Sequence, residues 1–401
     1  MVIASAPASA GPPEAAAWLT RNAVDCLPEG ELRRKLELGR PLRVKLGIDP
    51  TAPDIHLGFT VVLQKLREFQ DLGHIVVLII GDYTARVGDP SGRSSTRPIL
   101  SPAEIDANAR TFQQQALKVL DSKRLEVRFN GEWLDMPIEA FFRLASIPTV
   151  GQILERDDFA KRFAAHQPIS VLELLYPLLQ GYDSVATRAD VELGGTDQKF
   201  NLLLGRDIQR AYGIPEQVIL TMPLLTGTDG KIKMSKSVGN YIGVTDPPEE
   251  IYGKTLSIPD ESIGPWYELL LGYPPPDDLS ARDAKRALAR ALVARFHGEA
   301  AGAEAEAEFD RVHIQRQAPE DMATVVWASD GGDVHLPALL AQAFGISTSE
   351  ARRTLGQGGV KLDGAPVAAG TLDLPVSEVD GRVLQLGKRR FARVQVVPQV
   401  D

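Results

Sequence analysis

An uninterrupted apolar run, Ile75 to Ile80, most constrains what this chain can fold into. Such a run is typical of a strand that is buried on both faces, and it follows a shorter strand-like run, Val44 to Ile48. Between the two, apolar residues recur at helical spacing up to Gly73: Val61, Val62, Leu66, Phe69 and Leu72. Strand, helix and strand in this order predict a β-α-β unit, and therefore an α/β fold with a parallel sheet.

The turn that enters this predicted helix carries His56 and Gly58. Free backbone N–H groups and the positive end of a helix dipole gather at such a turn, beside the crevice in which doubly wound sheets bind ligands. Gly58 lets a ligand approach the backbone, and the His56 imidazole can donate to a phosphate. Taken alone, His56 is more often a satisfied histidine at the start of a helix.

A second segment with nucleotide-binding chemistry is Lys233 to Ser237 (Lys-Met-Ser-Lys-Ser), in a loop between Gly230 and Gly239. It follows another apolar run, Val218 to Leu225. Two lysines held between small residues can reach over a triphosphate and follow its charge as that charge redistributes. An isolated loop of this kind is usually only a solvated turn. Together with the His56 turn, it predicts a nucleotide site.

The two signatures, His-x-Gly at a first β-α turn and Lys-Met-Ser-Lys-Ser far downstream, resemble those of the class I aminoacyl-tRNA synthetases. Three segments between them resemble the bacterial tyrosyl-tRNA synthetases and occur in that family's order: Gly88 to Arg93, Tyr176 to Asp183 and Gly194 to Gln198. The resemblance implies a Rossmann-like parallel-sheet catalytic domain, an α-helical domain and a small α+β C-terminal RNA-binding domain. It also implies tyrosine–tRNA ligation: ATP activates tyrosine to tyrosyl-adenylate, and the tyrosyl group passes to the terminal adenosine of tRNA(Tyr).

A site for free tyrosine needs an anion for the ammonium, donors for the carboxylate and a deep acceptor for the phenol. Tyr176, Gln180 and Asp183 recur at spacings of four and three, so they share one face of a predicted helix. Because leucines lie among them, a core helix with a polar edge is the alternative. The resemblance implies that Tyr176, Gln180 and Asp89 hold the ammonium, that Gln198 holds the carboxylate, and that Asp183 accepts the phenolic hydrogen.

The nucleotide contacts follow from the same resemblance. Gly194 to Gln198 is predicted to be a second strand–turn–helix crossing, where a carboxylate suits a ribose diol or caps the helix. Arg93 and Arg97 flank a loop without a nearby acid, which is either an anion site or a solvated loop. The implied catalytic residues are His56, Thr51, Lys233, Lys236, Arg93 and Arg97, and the implied ATP-binding residues are Gly47, Asp49, Gly58, Gly195, Asp197 and Lys236.

Two positions depart from the family pattern. The family usually carries His-x-Gly-His, whereas this chain ends the motif with Phe59, and losing a donor aimed at developing charge can cost about 3 kcal/mol of barrier. Some relatives place a tyrosine near the phenol where this chain has Lys45, which can donate to the phenol as a tyrosine-binding residue or extend to solvent. Phe59 leaves two alternatives open: an enzyme that makes an aminoacyl-adenylate for another acceptor or from a modified tyrosine, and a non-catalytic RNA-binding paralogue.

Composition fits a multi-domain cytoplasmic enzyme. The chain has 401 residues, of which 44% are hydrophobic, and one cysteine, Cys26, which excludes an intrachain disulfide and favours a reducing compartment. No run approaches the ~20 apolar residues of a membrane span, and residues 1–16 are predicted to be a disordered tail rather than a signal peptide. Without a Cys/His cluster we expect no structural metal. The resemblance implies Mg²⁺ only as part of the ATP substrate complex, and a homodimer.

The C-terminal part is predicted to bind RNA in spite of the net charge of −9, because the distribution of charge decides. Predicted helices at 336–344 and 349–355 and a strand at 360–362, closed by the turn Asp363-Gly364, precede a basic stretch. This part resembles a small RNA-binding module that is shared with a ribosomal protein; an ordinary α+β domain is the alternative. The candidate RNA-binding residues are Arg352, Arg353, Lys361, Lys388, Arg389, Arg390 and Arg393.

Breaks in the pattern set the expected domain boundaries. We expect a catalytic domain over 17–245, a helical anticodon-side domain over 246–330 and the RNA-binding domain over 331–401. Asp246-Pro247-Pro248 marks the first boundary, and the glycine-rich stretch Asp330 to Asp333 is predicted to be the second linker.

Overall fold

A computed structural model of the chain describes residues 10–50, 54–90, 101–314, 322–387 and 390–398. They group into two compact units, residues 1–289 and residues 290–401. Within the described ranges, no helix is long and apolar enough to cross a bilayer.

The described part of the first unit is built on a six-stranded sheet. Its strands are β1 (Asp25–Leu27), β2 (Arg43–Ile48), β3 (Ile75–Ile80), β4 (Leu125–Phe129), β5 (Val191–Gly195) and β6 (Val218–Met222). Across the sheet the order is β1-β6-β5-β2-β3-β4; β1 pairs antiparallel with β6, and the other neighbours are parallel. The chain leaves β2 in one direction and returns to β5 on its other side. This reversal is a topological switch point, where α/β sheets bind ligands at the carboxyl ends of their strands.

Helices connect these strands and extend the unit beyond β6. They are α1 (Pro12–Thr20), α2 (Glu31–Leu36), α3 (Leu57–Asp71), α4 (Thr84–Val87), α5 (Pro102–Ala116), α6 (Gly131–Leu134), α7 (Ile138–Ala145), α8 (Val150–Leu154), α9 (Asp157–Ala164), α10 (Val171–Thr187), α11 (Lys199–Ala211), α12 (Pro248–Leu256) and α13 (Ile263–Leu270). A further helix, α14 (Ala281–His297), crosses the division between the units.

The predicted β-α-β unit is confirmed as β2-α3-β3. β3 is buried from Val76 to Ile80, as an apolar run between two helical layers requires. α3 begins after His56, whose side chain accepts a hydrogen bond from the backbone N–H of Gly58 and so caps the helix. The periodic apolar residues of α3, among them Leu66 and Phe69, are fully buried.

Close packing of α10 against α11 brings two polar helix faces together under the switch point. A Cβ at Gly181 of α10 would lie 2.5 Å from Cδ1 of Ile208 and 3.3 Å from the Cα of Gly205, both on α11. These two glycines therefore let the helices approach more closely than larger residues would allow. α10 begins with a capping box between Ser170 and Glu173, and it contains the predicted site residues Tyr176, Gln180 and Asp183.

The prediction of a disordered tail through residue 16 is wrong for residues 12–16. These residues form the first turns of α1, which has a proline at its first position and Glu14 in its first turn. Ala15 and Leu19 are buried, so the helix is stabilised by packing as well as by the helix propensity of its alanines.

The second unit contains a five-stranded sheet, in its described part, with helices packed on one face. The described strands of the whole unit are β7 (Thr324–Ser329), β8 (Val334–His335), β9 (Val360–Leu362), β10 (Ala365–Pro366), β11 (Asp373–Leu374), β12 (Val383–Leu386) and β13 (Arg390–Pro398). Its α-helices after α14 are α15 (Glu299–Phe309), α16 (Leu336–Phe344), α17 (Thr348–Gly356) and α18 (Val376–Val379). The sheet order is β10-β9-β12-β13-β7, and β8 pairs with β11. The predicted hairpin turn is confirmed: Asp363 and Gly364 join β9 to β10 with φ of 46° and 81°.

The structure divides the chain differently from the expected boundaries. Residues 246–289 group with the parallel sheet in the first unit. Asp330 to Asp333 joins β7 to β8 inside the second unit, so it is not the predicted linker. The reason is a long-range pairing: β7 runs parallel to β13, with Val325 opposite Val394, and Val325 is buried in the same core as Val334.

Candidate functional site

A cavity of about 650 Å³ opens at the switch point, at the carboxyl ends of β2 and β5. Most of the predicted site residues line it: Gly47, Asp49, His56, Gly58, Asp89, Tyr176, Gln180, Asp183, Gly195, Asp197, Gln198 and Lys233. Lys45 and Lys236 are not part of its wall. Thr51, Arg93 and Arg97 lie outside the described residues.

The two signature segments, which are far apart in sequence, lie side by side. The backbone N–H of Leu57 donates to the carbonyl of Ile242 (2.9 Å), and the N–H of Val244 donates to the carbonyl of Ile55 (2.9 Å). A Cβ at Gly58 would lie 2.9 Å from Cε1 of His56 and 3.5 Å from Cβ of Met234. The glycine is therefore required where the helix start meets the lysine loop.

His56 is neutral and has a defined tautomer. Burial, helped by the positive charges of Lys236 and Lys233, lowers the pKa of His56 to about 4. Its Nδ1 accepts the N–H of Gly58 at 3.1 Å, so the ring proton is on Nε2. The imidazole can thus donate one hydrogen bond toward a ligand without carrying charge.

Phe59 extends the wall of the cavity beside His56. The two ring centroids are 4.6 Å apart, and the Phe59 ring also meets Phe112 edge-on at 5.8 Å. The aromatic residue that replaces the family's second histidine is therefore packed from both sides and still 37% exposed. It offers a flat apolar surface to a ligand instead of a donor.

Residues of the lysine loop line the cavity, and the two lysines contact different acids. Lys233 Nζ lies 2.9 Å from Oδ2 of Asp197, and Lys236 Nζ lies 3.5 Å from Oδ2 of Asp54. The loop backbone is held by Asn240, whose Oδ1 accepts the N–H of Ser235 at 2.8 Å. Both lysines can leave these partners for a more highly charged anion, because both contacts are partly exposed to solvent.

At the far end of the cavity, Asp183 is a deeply buried acid. Its Oδ1 accepts the indole N–H of Trp133 at 2.8 Å, and its Oδ2 accepts from Nδ2 of Asn130 at 3.4 Å. Burial raises the pKa of Asp183 to about 7, although the nearby charge of Lys45 and these two hydrogen bonds oppose the shift. The carboxyl group is therefore ionised only in part at neutral pH.

Trp133 and Asn130 were not identified from the sequence. Both follow β4, at the same edge of the sheet as the ends of β2 and β5, so the position after a predicted parallel strand was the available signal. Asn130 is fully engaged: it accepts the N–H of Tyr83 (3.0 Å) and donates to Thr84 (2.9 Å). The wall around Asp183 is thus a fixed network and not a set of mobile side chains.

Lys45 does not line the cavity, contrary to the prediction. It neither extends to solvent nor reaches the cavity: its side chain is fully buried, and Nζ lies 2.8 Å from Oε1 of Glu192 and 2.7 Å from Oγ of Ser184. An ammonium group buried this deeply must be paired, and its pairing with Glu192 explains its position. Its positive charge opposes the rise in the pKa of Asp183.

Tyr176 is oriented by Asp49. Its hydroxyl donates to Oδ2 of Asp49 at 2.9 Å, while Oδ1 of the same carboxylate accepts from Thr84 at 2.7 Å. Burial and the neighbouring carboxylate raise the pKa of Tyr176 well above its usual value, so the phenol keeps its proton. Because that proton points to Asp49, the Tyr176 oxygen is left as an acceptor toward the cavity.

A metal site is not evident in the described residues. Among them, no group of three or more His, Cys, Asp or Glu side chains is arranged to hold an ion. The expectation that the chain binds no structural metal stays a prediction.

The candidate RNA-binding residues that the structure describes in the second unit are exposed or half-buried, but they do not form one row. Lys361 and Arg393 lie on the sheet, on strands β9 and β13, whereas Arg352 and Arg353 are exposed on α17, which packs on the opposite, buried face. Arg390 stacks on Phe344, with its guanidinium 5.0 Å from the ring centroid. Lys388 and Arg389 lie outside the described residues.

Comparison with known proteins agrees with this geometry. A family model described as tRNA synthetases class I (W and Y) matches residues 37–313. The chain is 52% identical to the tyrosine–tRNA ligase of Moorella thermoacetica over 94% of each chain, and 51% identical to that of Thermotoga maritima over 96% of this chain and 98% of the other.

Solved structures give the same result. The tyrosyl-tRNA synthetase of Archaeoglobus fulgidus, complexed with L-tyrosine, is similar with a TM-score of 0.61 at 25% identity over 74% of this chain and 99% of that one. A C-terminally truncated mitochondrial tyrosyl-tRNA synthetase of Aspergillus nidulans shares the fold, with a TM-score of 0.62 at 22% identity over 76% of this chain and 94% of that one. The resemblance seen in the sequence is confirmed, and the chain belongs to the class I tRNA synthetases (W and Y), in the group of the tyrosine–tRNA ligases.

Proposed function

We propose that this protein is a tyrosine–tRNA ligase. In the first step, an oxygen of the tyrosine carboxylate attacks the α-phosphorus of ATP, and the bond to the bridging oxygen of the pyrophosphate breaks. In the second step, a ribose hydroxyl of the terminal adenosine of tRNA(Tyr) attacks the activated carbonyl, and AMP leaves. Neither step needs a covalent intermediate with the enzyme, so the protein acts by positioning and by electrostatic stabilisation.

The observation that carries the proposal is the buried acid at the end of the cavity. Asp183 has fixed donors on both oxygens, from Trp133 and Asn130, and it is almost fully buried at the wall of the cavity. A phenolic hydroxyl of the substrate satisfies such a carboxylate, whereas a phenylalanine ring would leave it without that donor. Leaving a buried charged acceptor without its partner costs about 3 kcal/mol, which is why the site selects tyrosine.

The groups proposed to hold the ammonium are Tyr176, Gln180 and Asp89. All three line the cavity, and the proton of Tyr176 is directed to Asp49, so oxygen acceptors surround this position. Gln198, whose amide donates to Asp89 at 2.9 Å, keeps a second N–H for the substrate carboxylate.

For the nucleotide, the proposal uses the two signature segments. The Nε2–H of His56 and the ammonium groups of Lys233 and Lys236 stabilise the charge that develops on the phosphates, with Thr51, Arg93 and Arg97 completing the set. Asp197 and Gly195 take the ribose, and Gly47 and Gly58 let the nucleotide approach the backbone. Asp49 acts indirectly, by orienting Tyr176. Mg²⁺ enters as part of the ATP substrate and leaves with pyrophosphate.

The proposed RNA partner is tRNA(Tyr), and the proposed location is the cytoplasm. Phosphate contacts come from the exposed basic side chains of the second unit, including Arg352, Arg353 and Arg393.

We also propose that the protein is a homodimer. The four most exposed large apolar side chains of the described residues are Phe142 (62%), Val150 (62%), Phe163 (64%) and Val171 (75%), and they lie on α7, α8, α9 and the first turn of α10. An apolar face of this kind on a soluble chain marks an interface. The family resemblance indicates that the partner on this face is a second copy of the chain. Val171→Asp should give a monomer in analytical ultracentrifugation, whereas Leu38→Asp, an exposed leucine elsewhere, should leave a dimer.

The function is tested by two assays on the full-length protein. Amino-acid-dependent exchange of pyrophosphate into ATP, run with a panel of amino acids, should require tyrosine. Charging of tRNA(Tyr) with labelled tyrosine should follow. Exchange without charging would indicate an adenylate-forming enzyme with another acceptor, and the absence of exchange with any amino acid would leave only an RNA-binding role.

A further inference from the structure

Beside the cavity, three hydrogen bonds and one ion pair link four side chains into a closed circuit. Nη1 of Arg156 donates to Oδ1 of Asn201 (3.2 Å), and Nδ2 of Asn201 donates to Oε1 of Gln198 (3.1 Å). Nε2 of Gln198 donates to Oδ2 of Asp89 (2.9 Å), and Oδ1 of Asp89 lies 3.7 Å from Nη2 of Arg156. A branch leaves the circuit at Asn201, whose Nδ2 also donates to Oε1 of Gln180 (2.9 Å).

Arg156 and Asp89 fix the direction of every hydrogen bond that runs between them through the amides. An arginine only donates, and an ionised aspartate only accepts. Between Arg156 and Asp89, therefore, Asn201 must turn its oxygen to Arg156 and its N–H groups to the two glutamines. Gln180 and Gln198 must in turn direct their oxygens to Asn201. Turning over any one amide would bring two donors or two acceptors together.

Arg156 and Asn201 are buried and do not line the cavity. Their side chains are almost fully buried, at 4% and 1% exposure. Arg156 is held from the other side by Asp158, at 2.7 and 3.2 Å, at the start of α9, and by the ring of Phe159, 5.0 Å away. Buried networks in which every member is satisfied are rigid, because each broken bond would leave a polar group unpaired.

We propose that Arg156 and Asn201 are positioning residues that do not touch the substrate. They fix the amides of Gln180 and Gln198 and the carboxylate of Asp89. This end of the cavity then presents oxygen acceptors to a substrate ammonium. The inference rests on the proposed function, in which that ammonium belongs to tyrosine. It extends the amino-acid site to two residues that the sequence motifs did not include.

The decisive variant is Asn201→Asp, which keeps the shape of the side chain and its pairing with Arg156. It replaces the Nδ2 donor by an acceptor that faces the oxygens of Gln180 and Gln198. Gln180 must then turn over and direct N–H groups toward the ammonium. Asp89 still accepts from Nε2 of Gln198, so the second N–H of Gln198 stays available to the substrate carboxylate. Asn22→Asp is the matched control, since Asn22 is exposed and donates only to the backbone oxygen of Glu268. The ligands are tyrosine, tyramine, which lacks the carboxylate, and 3-(4-hydroxyphenyl)propionate, which lacks the ammonium.

In the full-length protein, Asn201→Asp should weaken tyrosine and tyramine by about tenfold or more, the effect of losing one hydrogen bond to a charged group. It should weaken 3-(4-hydroxyphenyl)propionate by less than about threefold, and kcat at saturating tyrosine should change by a similarly small factor. Asn22→Asp should change none of these values. The constants come from the KM for tyrosine and from competitive inhibition of exchange by the two analogues.

Equal weakening of all three ligands would indicate general damage to the pocket and would overturn the inference, as would unchanged affinities. If Asn201→Asp does not fold, Arg156→Met and Arg156→Lys replace it. The methionine should give the same loss confined to ligands with an ammonium, and the lysine, which keeps one donor for Asn201, should restore most of the affinity. A wild-type protein without tyrosine-dependent exchange would instead count against the proposed function.

Discussion

Tyrosine binding should depend on pH through Asp183. The pKa of this buried carboxyl group is raised to about 7, and its ionised form is the acceptor for the substrate phenol. Because the raised pKa belongs to an acid, the acceptor is present above pH 7 and is lost as the pH falls through 7. Tyrosine should therefore bind more weakly in mildly acidic solution.

The size of the effect follows from the fraction that is ionised. With a pKa of about 7, about one tenth of Asp183 is ionised at pH 6 and about nine tenths at pH 8. If only the ionised form binds the phenol well, Kd for tyrosine should fall about tenfold between these two values. An aspartate with an unshifted pKa of about 3.9 would be ionised throughout this range, and Kd would stay constant.

The assay is isothermal titration calorimetry of tyrosine without ATP, at several values from pH 6 to pH 8. Over this range the ammonium and the carboxylate of free tyrosine both stay charged, and His56, with a pKa of about 4, stays neutral. Asp183→Asn is the control: it should bind tyrosine more weakly at pH 8 and show no pH dependence. A wild-type Kd that is constant from pH 6 to pH 8, or a variant that keeps the dependence, would refute the role of Asp183.

Four further predictions concern the nucleotide side and the second unit. Lys233→Ala and Lys236→Ala should lower kcat of exchange by about a hundredfold or more while changing the KM for tyrosine little; a defect only in KM would argue against their role in the transition state. Gly58→Ala should impair exchange strongly, because the added Cβ would lie 2.9 Å from the His56 ring; normal exchange would refute the required close approach. Phe59→His should change exchange by tenfold or less in a working synthetase, whereas a rise of about a hundredfold would reveal an impaired paralogue. Deleting residues 322–401 should leave exchange intact, yet weaken tRNA binding and reduce its salt dependence; unchanged affinity for tRNA would exclude phosphate contacts by this region.

Local patterns were sufficient to predict the elements that build the nucleotide site. The spacing of apolar residues and the flanking glycines predict β2, α3 and β3. The spacing of Tyr176, Gln180 and Asp183 correctly predicts that they share one face of α10. These features depend on residues that are close in sequence, so the sequence expresses them directly.

Features that depend on distant partners were not predictable in the same way. Lys45 is buried because Glu192, on the neighbouring strand β5, pairs with it, and no local signal indicates that pairing. Trp133 and Asn130 reach Asp183 from the end of β4 across the sheet. The boundary of the second unit was missed for the same reason, since β7 joins its sheet only through β13 at the other end of the unit.

The exposed apolar side chains on α7 to α10 show a third limit of prediction from local sequence patterns. Amphipathic spacing predicts that Phe142 or Phe163 faces an apolar environment, but not whether that environment is the core of the same chain or a second copy. In the structure these rings are exposed, whereas Leu144 and Phe159 on the same helices are buried in the core, and the second copy stays a proposal.

The central claim is that the cavity activates tyrosine because a buried acid accepts its phenol. Its most direct test is kcat/KM for ATP–pyrophosphate exchange with tyrosine and with phenylalanine, measured on the wild-type protein. We predict that tyrosine is preferred by about two orders of magnitude or more, the factor that corresponds to about 3 kcal/mol for a buried charged acceptor left without its donor. Exchange with phenylalanine at a rate close to that with tyrosine would contradict the account.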